Sequence, residues 1–226
     1  MGCILKGGGG LYSRLAVGAV LLAAGAGSRM GGRPKALLEL GGVPLIRRQL
    51  IALSGAGVDE VVVVLGHHAE LIEPMVHSFP VTLVRNLNPD EGQTSSLRLG
   101  LQALTGRHDA VLVALADQPL INAQDISAVI GAFKKRAEGT AVVVPTVDGK
   151  PGNPVVFSAE VQQQILAGDA SVGCRQWRAA NPQAVSFFAT DNRRYRVDVD
   201  TLDDIARFER ETGHALRWPA ALVPAA

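Results

Sequence analysis

The sequence predicts a single-domain α/β protein, a three-layer sandwich built on a mostly parallel sheet. Three observations predict it. Strand-like and helix-like segments alternate along the 226 residues, as they do in chains of strand–helix–strand units. The strand-like segments 16–22, 60–65 and 110–115 are continuous apolar runs, the pattern of strands covered on both faces. No internal repeat, low-complexity tract or composition shift divides the chain. The expected organisation is an N-terminal extension (1–14), one domain (15–213) and a C-terminal tail (214–226). That length buries a core without a metal or disulfide staple.

The elements follow in order. Residues 16–22 end in Ala23-Ala24-Gly25 and read as a buried strand feeding a glycine-rich loop. Residues 45–54 have helical spacing (Leu45, Ile46, Gln49, Leu50, Leu53), stopped by Gly55-Ala56-Gly57. Residues 60–65 hold Val61-Val62-Val63-Val64, a fully buried strand. Residues 69–77 read as a helix disturbed by Pro74, 81–85 as a strand, and 95–104 as a helix with Thr94 or Ser95 as N-cap. Residues 110–115 are a third strong strand. Residues 126–137 form an amphipathic helix after the capping stretch Asn122-Ala123-Gln124-Asp125. Strands at 141–145 and 154–157, a helix at 159–167, strands at 185–189 and 196–199 and a helix at 202–211 complete the domain. From Trp218 the tail is rich in Pro and Ala and is expected to fray.

Charge and composition exclude several function classes. Lys and Arg number 22 against 21 Asp and Glu, so there is no basic footprint for nucleic acid. Cys3 and Cys174 lie far apart and form neither a disulfide framework nor a zinc knuckle, which points to a reducing cytoplasm. Lys6 and Arg14 before an apolar run at 15–24 imitate a secretory signal. The run is too short to span a membrane, and the glycines after it belong to a longer pattern with Arg29, Pro34 and Lys35 that cleavage would destroy. Residues 1–13 therefore read as a poorly ordered extension of a cytoplasmic protein. Gly2 heads no myristoylation motif, because Lys6 stands where Ser or Thr is needed.

In an open α/β sheet, ligands sit beyond the carboxyl ends of the strands, so chemistry is sought there. After the first strand comes Gly25-Ala26-Gly27-Ser28-Arg29-Met30-Gly31-Gly32-Arg33-Pro34-Lys35. Glycines let backbone N–H groups approach an anion, and Arg29 and Lys35 add fixed positive charge. The combination suits a polyphosphate. It is not a Walker A loop, and Met30 stands where a dinucleotide fingerprint needs its third glycine. After the strand at 110–115 comes Ala116-Asp117-Gln118-Pro119. Asp117 is placed as a Mg²⁺ ligand or as the cap of the turn before Pro119. In Asp198-Val199-Asp200-Thr201-Leu202-Asp203-Asp204, Asp200 or Thr201 caps the last helix, Asp203 and Asp204 favour its N-terminus, and Asp198 or Asp200 reaches the same metal as Asp117. In Gln93-Thr94-Ser95-Ser96-Leu97, the hydroxyls either cap a helix or contact a base or ribose.

Leu22-Ala23-Ala24-Gly25-x-Gly27-x-Arg29-Met30-Gly31-x-x-Pro34-Lys35 resembles the signature of nucleotidyltransferases with the Rossmann-like, GT-A-like nucleotide-diphospho-sugar transferase fold. Within these, the chain resembles the MobA-like NTP transferases, and most of all the molybdenum-cofactor cytidylyltransferases. The further carriers of that resemblance are Gln93-Thr94-Ser95-Ser96-Leu97, Ala116-Asp117-Gln118-Pro119, Gly168-Asp169 and the run from Asp198 to Asp204. Pro151-Gly152-Asn153-Pro154 resembles the branch's acceptor-side segment, with Asn153 where His is commoner.

The resemblance implies Mg²⁺-dependent transfer of a nucleotide from an NTP, CTP in this branch, to a phosphate-bearing acceptor, molybdopterin, with release of pyrophosphate. It implies that Leu22, Ala23, Ala24, Gly25 and Gly27 hold the nucleotide and that Arg29 and Lys35 neutralise its phosphates. Thr94, Ser95 and Ser96 would lie by the base and ribose. Asp117 would bind Mg²⁺ with Asp198 as second carboxylate, Asp200 being the alternative that reads more as a cap. Cofactor would pass on to a molybdenum hydroxylase client. The guanylyl branch, a sugar phosphate or other phosphorylated acceptor, and a non-catalytic nucleotide or cofactor carrier are the alternatives.

Other polar residues read as structural. Adjacent His67 and His68 point in different directions and suit a solvent-exposed or loop-packing role better than a metal site. Cys174 has no neighbouring base and reads as packing, Trp177 as core or an interface anchor on a helix, and Lys134-Lys135-Arg136 as a solvated helix face.

Overall fold

The computed structural model describes residues 14–222. The chain runs β1 (Val17–Ala23), β2 (Glu39–Leu40), β3 (Val43–Pro44), α1 (Leu45–Gly55), β4 (Glu60–Leu65), α2 (Ala69–Val76) and β5 (Thr82–Arg85). It continues through α3 (Gln93–Ala103), β6 (Ala110–Leu115), α4 (Ala123–Lys134), β7 (Val142–Val147), β8 (Lys150–Pro151) and β9 (Val155–Ser158). It ends with α5 (Ala159–Ala167), α6 (Cys174–Ala180), β10 (Val185–Ala189), α7 (Leu202–Thr212) and β11 (Leu216–Arg217). The main sheet has the order β10-β7-β9-β6-β1-β4-β5, with β8 paired to β7. Pairings are parallel except around β9, which runs antiparallel to β6 and β7, and β8, antiparallel to β7.

The apolar runs occupy the centre because both faces of each are covered. In β1, Ala19, Leu21 and Ala23 enter one core, and Val20 and Leu22 the other. In β4, Val63 and Leu65 oppose Val62 and Val64; in β6, Leu112 and Ala114 oppose Val111 and Val113. Side chains alternate along a strand, so a run without polar alternation needs a layer on each side. α1, α2 and α4 close one core; α3, α5 and α6 close the other, with Trp177 of α6 buried in it.

A third, smaller core lies at the sheet's carboxyl end. Met30, Leu38, Leu40, Leu45, Val199, Phe208 and Leu216 pack together there, under a three-stranded sheet of order β11-β2-β3. The tail expected to fray is therefore engaged as far as residue 222. Leu216 pairs with Leu40, and the Arg33 guanidinium lies 4.5 Å over the Trp218 ring. Two-residue strands have no periodicity to read, and an apolar pair in a tail gains order only by meeting its partner.

Three further expectations change. α3 begins two residues early, with Gly92 as an N-cap that has no side-chain bond, so Thr94 and Ser95 sit within its first turn. α4 begins at Ala123, directly under a capping box of Asn122 and Asp125. The strand expected at 196–199 is absent: a 3₁₀ turn at Arg193–Arg196 precedes extended chain held by Val199 N–H donating to Asp117 O at 3.1 Å. Arg14, assigned to the extension, binds Asp59 at 2.7 Å. The apolar half of the signal-like stretch is β1 itself; residues 1–13 lie outside the described residues. Among the described residues, no helix is long and apolar enough to cross a membrane.

Candidate active site

At the carboxyl end of β1 the chain turns through Ala24-Gly25-Ala26-Gly27 into a short 3₁₀ turn, Ser28–Met30. Gly27 has φ 63°, and a Cβ there would lie 2.0 Å from Arg33 O, so no other residue fits this turn. Gly27 O accepts from the N–H groups of Met30 and Gly32 at 2.8 and 3.0 Å, which curls the loop back on itself. Met30, where a fingerprint glycine would stand, is fully buried in the third core and anchors the loop. His68 packs on this loop, its Nε2 2.9 Å from Ala26 O, and His67 lies 3.0 Å from Asp90. Both histidines serve loop packing, as expected.

The loop delivers Lys35 to the mouth of β6. Lys35 Nζ donates to Asp117 Oδ2 at 2.5 Å and to Asp200 Oδ1 at 2.7 Å. Arg29, largely exposed, reaches Asp200 Oδ2 at 3.1 Å. Burial alone would pull the Lys35 ammonium down. The charge and hydrogen bond of Asp117, then those of Asp200, outweigh it, and its pKa stands above the ordinary lysine value. Burial likewise raises Asp200, but Lys35 and then Arg29 outweigh it and hold its carboxyl below the usual range. Asp198 goes the other way: burial first, then the like charges of Asp117 and Asp200, push it up. Asp117 and Asp200 thus share Lys35, and Asp198 lies near enough to feel the charge of both. Asp117 Oδ1 is buried with no hydrogen-bond partner among the described residues, an expensive state for an ionised oxygen.

The α7 cap resolves which residue is free. Thr201 caps α7, its Oγ accepting from Asp204 N–H at 3.2 Å while Asp204 Oδ2 accepts from Thr201 N–H at 2.8 Å. The reading of Asp200 as a cap is therefore corrected. Its side chain is left for Lys35 and Arg29. Asp204 is a full member of the capping box rather than a bystander at the helix start.

Behind these charges lies a latch that the sequence did not announce. Gln118 is buried; its Nε2 donates to Tyr195 O at 3.1 Å, and its own carbonyl accepts from Gln49 Nε2 at 2.6 Å. Together with the Val199–Asp117 bond, this fixes the acid-bearing segments from β6 and from the stretch before α7 against each other.

A cleft of about 310 Å³ opens between the loop and α3. Leu22, Ala23, Ala24, Gly25, Lys35, Ser96 and Asp117 line it together. Pro89, Gly92 and Gln93 also line it; the proline and glycine wall positions carry no chemical signal in sequence. Thr94 lines a neighbouring cavity instead. Ser95 Oγ donates to Gly92 O at 2.9 Å, and Asn86 Nδ2 donates to Ser95 and Ser96 Oγ, each at 2.9 Å. Gly27 and Arg29 lie on the loop beside the cleft, Asp200 is joined to it through ion pairs with Lys35 and Arg29, and Asp198 is linked to it only through the charges of its acidic neighbours. No three His, Cys, Asp or Glu side chains form a ready metal cage among the described residues. Cys174 is free, with its thiol pushed up to about 11 by burial, which suits packing.

The chain is similar to the nicotine blue oxidoreductase of Paenarthrobacter nicotinovorans, 30% identical over 195 residues, covering 83% of this chain and 94% of that one. It is 35% identical over 201 residues to the 2-C-methyl-D-erythritol 4-phosphate cytidylyltransferase of Streptomyces coelicolor, covering 85% and 73%. It spans only 37% of the length of the bifunctional GlmU of Mycobacterium ulcerans that it also matches. Among solved structures, Rv0371c of Mycobacterium tuberculosis shares the fold, with a TM-score of 0.74 at 24% identity over 88% of this chain and 100% of that one. The pattern of the MobA-like NTP transferase domain matches residues 19–185, which carry the loop, Lys35, Asp117 and the start of α3, and the chain belongs to that family.

Proposed function

We propose that the protein is a Mg²⁺-dependent cytoplasmic nucleotidyltransferase that moves a nucleotide from CTP to molybdopterin and releases pyrophosphate. The observation that carries this is Lys35 held between Asp117 and Asp200 at the cleft whose wall is the Leu22–Gly25 backbone. The unpartnered Asp117 Oδ1 and the crowded carboxylates suit a hard cation, and Mg²⁺ needs only one or two protein carboxylates when phosphates and water complete its shell. Asp117 with Asp198 or Asp200 would hold it. When bound, the ion supplies charge neutralisation to the triphosphate.

The acceptor is a phosphate monoester, already anionic, so no general base is called for. An acceptor phosphate oxygen forms a bond to the α-phosphorus while the bond from that phosphorus to the bridging oxygen breaks. Pyrophosphate leaves with the electron pair. The loop N–H groups and Ser96 orient the nucleotide, and Lys35 and Arg29 meet charge on the phosphates. Product would pass to a molybdenum hydroxylase client. The near-equal length of the relative named as an oxidoreductase favours a second reading, in which the same cleft holds a nucleotide-bearing redox cofactor.

The test is pyrophosphate release with Mg²⁺ and each of CTP, GTP, ATP and UTP, with and without molybdopterin. Release with CTP that depends on molybdopterin supports the proposal. Release with GTP moves the protein to a guanylyl specificity, and release only with a sugar phosphate replaces the acceptor. No release, with consumption of a reduced nicotinamide cofactor, supports the oxidoreductase reading. Tight NTP binding without turnover supports a carrier.

A further inference from the structure

The adjacent histidines follow Gly66 at the end of β4, and this short segment is pressed against the glycine-rich loop. His67 N–H donates to Ala24 O at 3.3 Å, and the His68 ring reaches Ala26 O through Nε2 at 2.9 Å. A Cβ on Gly66 would lie 2.8 Å from Ala24 O and 2.9 Å from Pro89 Cβ, so only glycine lets the strand end fit between the loop and the Pro89 wall of the cleft. Ile72, one helical turn past His68, lines the same cleft.

His68 stands there at a conformational cost. It has φ 61° and ψ 22°, left-handed backbone that few side chains adopt. It is also the N-cap of α2, where Ser, Thr, Asp or Asn would ordinarily accept a hydrogen bond from the first turn, and its side chain makes no such bond. The ring turns to the loop instead. Residues held in such strain gather at functional sites, where the surrounding structure over-determines them. Glycine would suit this backbone and asparagine this cap, but neither has a ring nitrogen to bring to Ala26 O.

A carbonyl oxygen only accepts, so His68 Nε2 carries the proton in this contact. The peptide bonds after Ala24 and Ala26 are trans, and a trans peptide points its C=O and N–H to opposite sides. With Ala24 O and Ala26 O both held toward the histidines, the N–H groups of Gly25 and Gly27 face the other way. No backbone carbonyl among the described residues accepts from either. Two free donors on one side of a glycine-rich turn form a cradle for an anion.

We propose that His68 is a positioning residue for the nucleotide: by holding the Ala26 carbonyl it aims the Gly27 N–H at a phosphate. The proposal rests on the nucleotidyltransferase reading of the cleft. The experiment is calorimetric titration of the wild type, His68→Gly and His68→Gln with CTP, GTP, ATP and UTP in Mg²⁺, beside thermal melting and pyrophosphate release. His68→Gly removes the bond to Ala26 and relieves the left-handed backbone. Its Tm is expected within about 3 °C of wild type, while affinity for the triphosphate that the wild type binds most tightly falls about 5-fold or more, the scale of one hydrogen bond. His68→Gln keeps an N–H donor at similar reach and is expected to hold affinity within about twofold. A residue that served folding alone would gain nothing from the donor. Where His68→Gly lowers Tm further, recovery of affinity in His68→Gln decides for the proposal. Wild-type affinity in folded His68→Gly, an equal loss of affinity in His68→Gln, or no triphosphate binding by the wild type overturns it. The expected affinities without pyrophosphate release sustain the positioning role and overturn the transferase reading alone.

Discussion

Replacing Lys35 with alanine removes the one ammonium that joins Asp117 to Asp200, and the structure separates its two consequences. The side chain is only 20% exposed and donates at 2.5 and 2.7 Å. Hydrogen bonds to charged groups contribute about 1.5–3 kcal/mol each. Part of that is offset by the cost of burying the ammonium, so a net loss of about 2 kcal/mol is expected, since removing one partner leaves charges uncompensated. In a chain of this size that lowers Tm by roughly 4–8 °C. The catalytic loss is larger in rate: a preorganised charge aimed at the reacting phosphates contributes about 3 kcal/mol, so turnover falls by about 100-fold or more. Thermal melting and pyrophosphate release on the same sample read both. Lys35→Arg keeps the charge and should recover part of each. Turnover within about threefold of wild type in folded Lys35→Ala protein would refute the role of this side chain at the phosphates.

Asp200→Asn and Thr201→Ala should separate neighbouring roles: the first lowers pyrophosphate release by about 100-fold, while the second costs about 1 kcal/mol of stability through the lost α7 cap and largely spares turnover. Equal effects in both assays would contradict the division. Gly27→Ala places a methyl against the Arg33 carbonyl at a left-handed φ; calorimetry should show CTP affinity falling about 10-fold or more, and wild-type affinity would show that the loop is not the nucleotide wall. In a Cys3→Ser variant the remaining Cys174 thiol, pushed up to about 11, should alkylate slowly at pH 8 and progressively faster toward pH 11; fast labelling at pH 8 would indicate a reactive thiolate.

The parts of this molecule legible in the sequence are those whose cause is local. β1, β4 and β6 announce themselves because doubly covered strands leave no polar alternation, and the Arg29–Lys35 spacing survives as a loop motif. Where two neighbours carry the same local signal, tertiary context decides. Asp200 and Thr201 are both good N-caps; Thr201 wins because Asp204 completes its box, and Asp200 goes to Lys35 and Arg29. Gly92 caps α3 without any side chain to mark it. β2 and β3 form a local hairpin around Gly41-Gly42 but are only two residues long each, and β11 gains strand structure only by meeting β2 across most of the chain. Gln118 carries no local signal of its role, because a latch exists only once distant elements have packed.

The charge arrangement carries a consequence for how the proposed ligands bind together. In the protein alone, Lys35 and Arg29 compensate Asp117 and Asp200, and Asp198 already sits above its ordinary pKa through burial first and then the like charges of Asp117 and Asp200. A triphosphate entering the cleft competes for the same two cations. Each cation drawn toward phosphate would leave the carboxylates less compensated. Nucleotide alone therefore meets a rising electrostatic cost, whereas nucleotide accompanied by a divalent cation meets an exchange in which every charge keeps a partner. Such coupling is reciprocal: by whatever factor the cation raises nucleotide affinity, the nucleotide raises cation affinity. Under the proposed function Lys35 would serve two states, as counter-ion to the acids before binding and to the phosphates after it, so that the site exposes no unpaired charge in either.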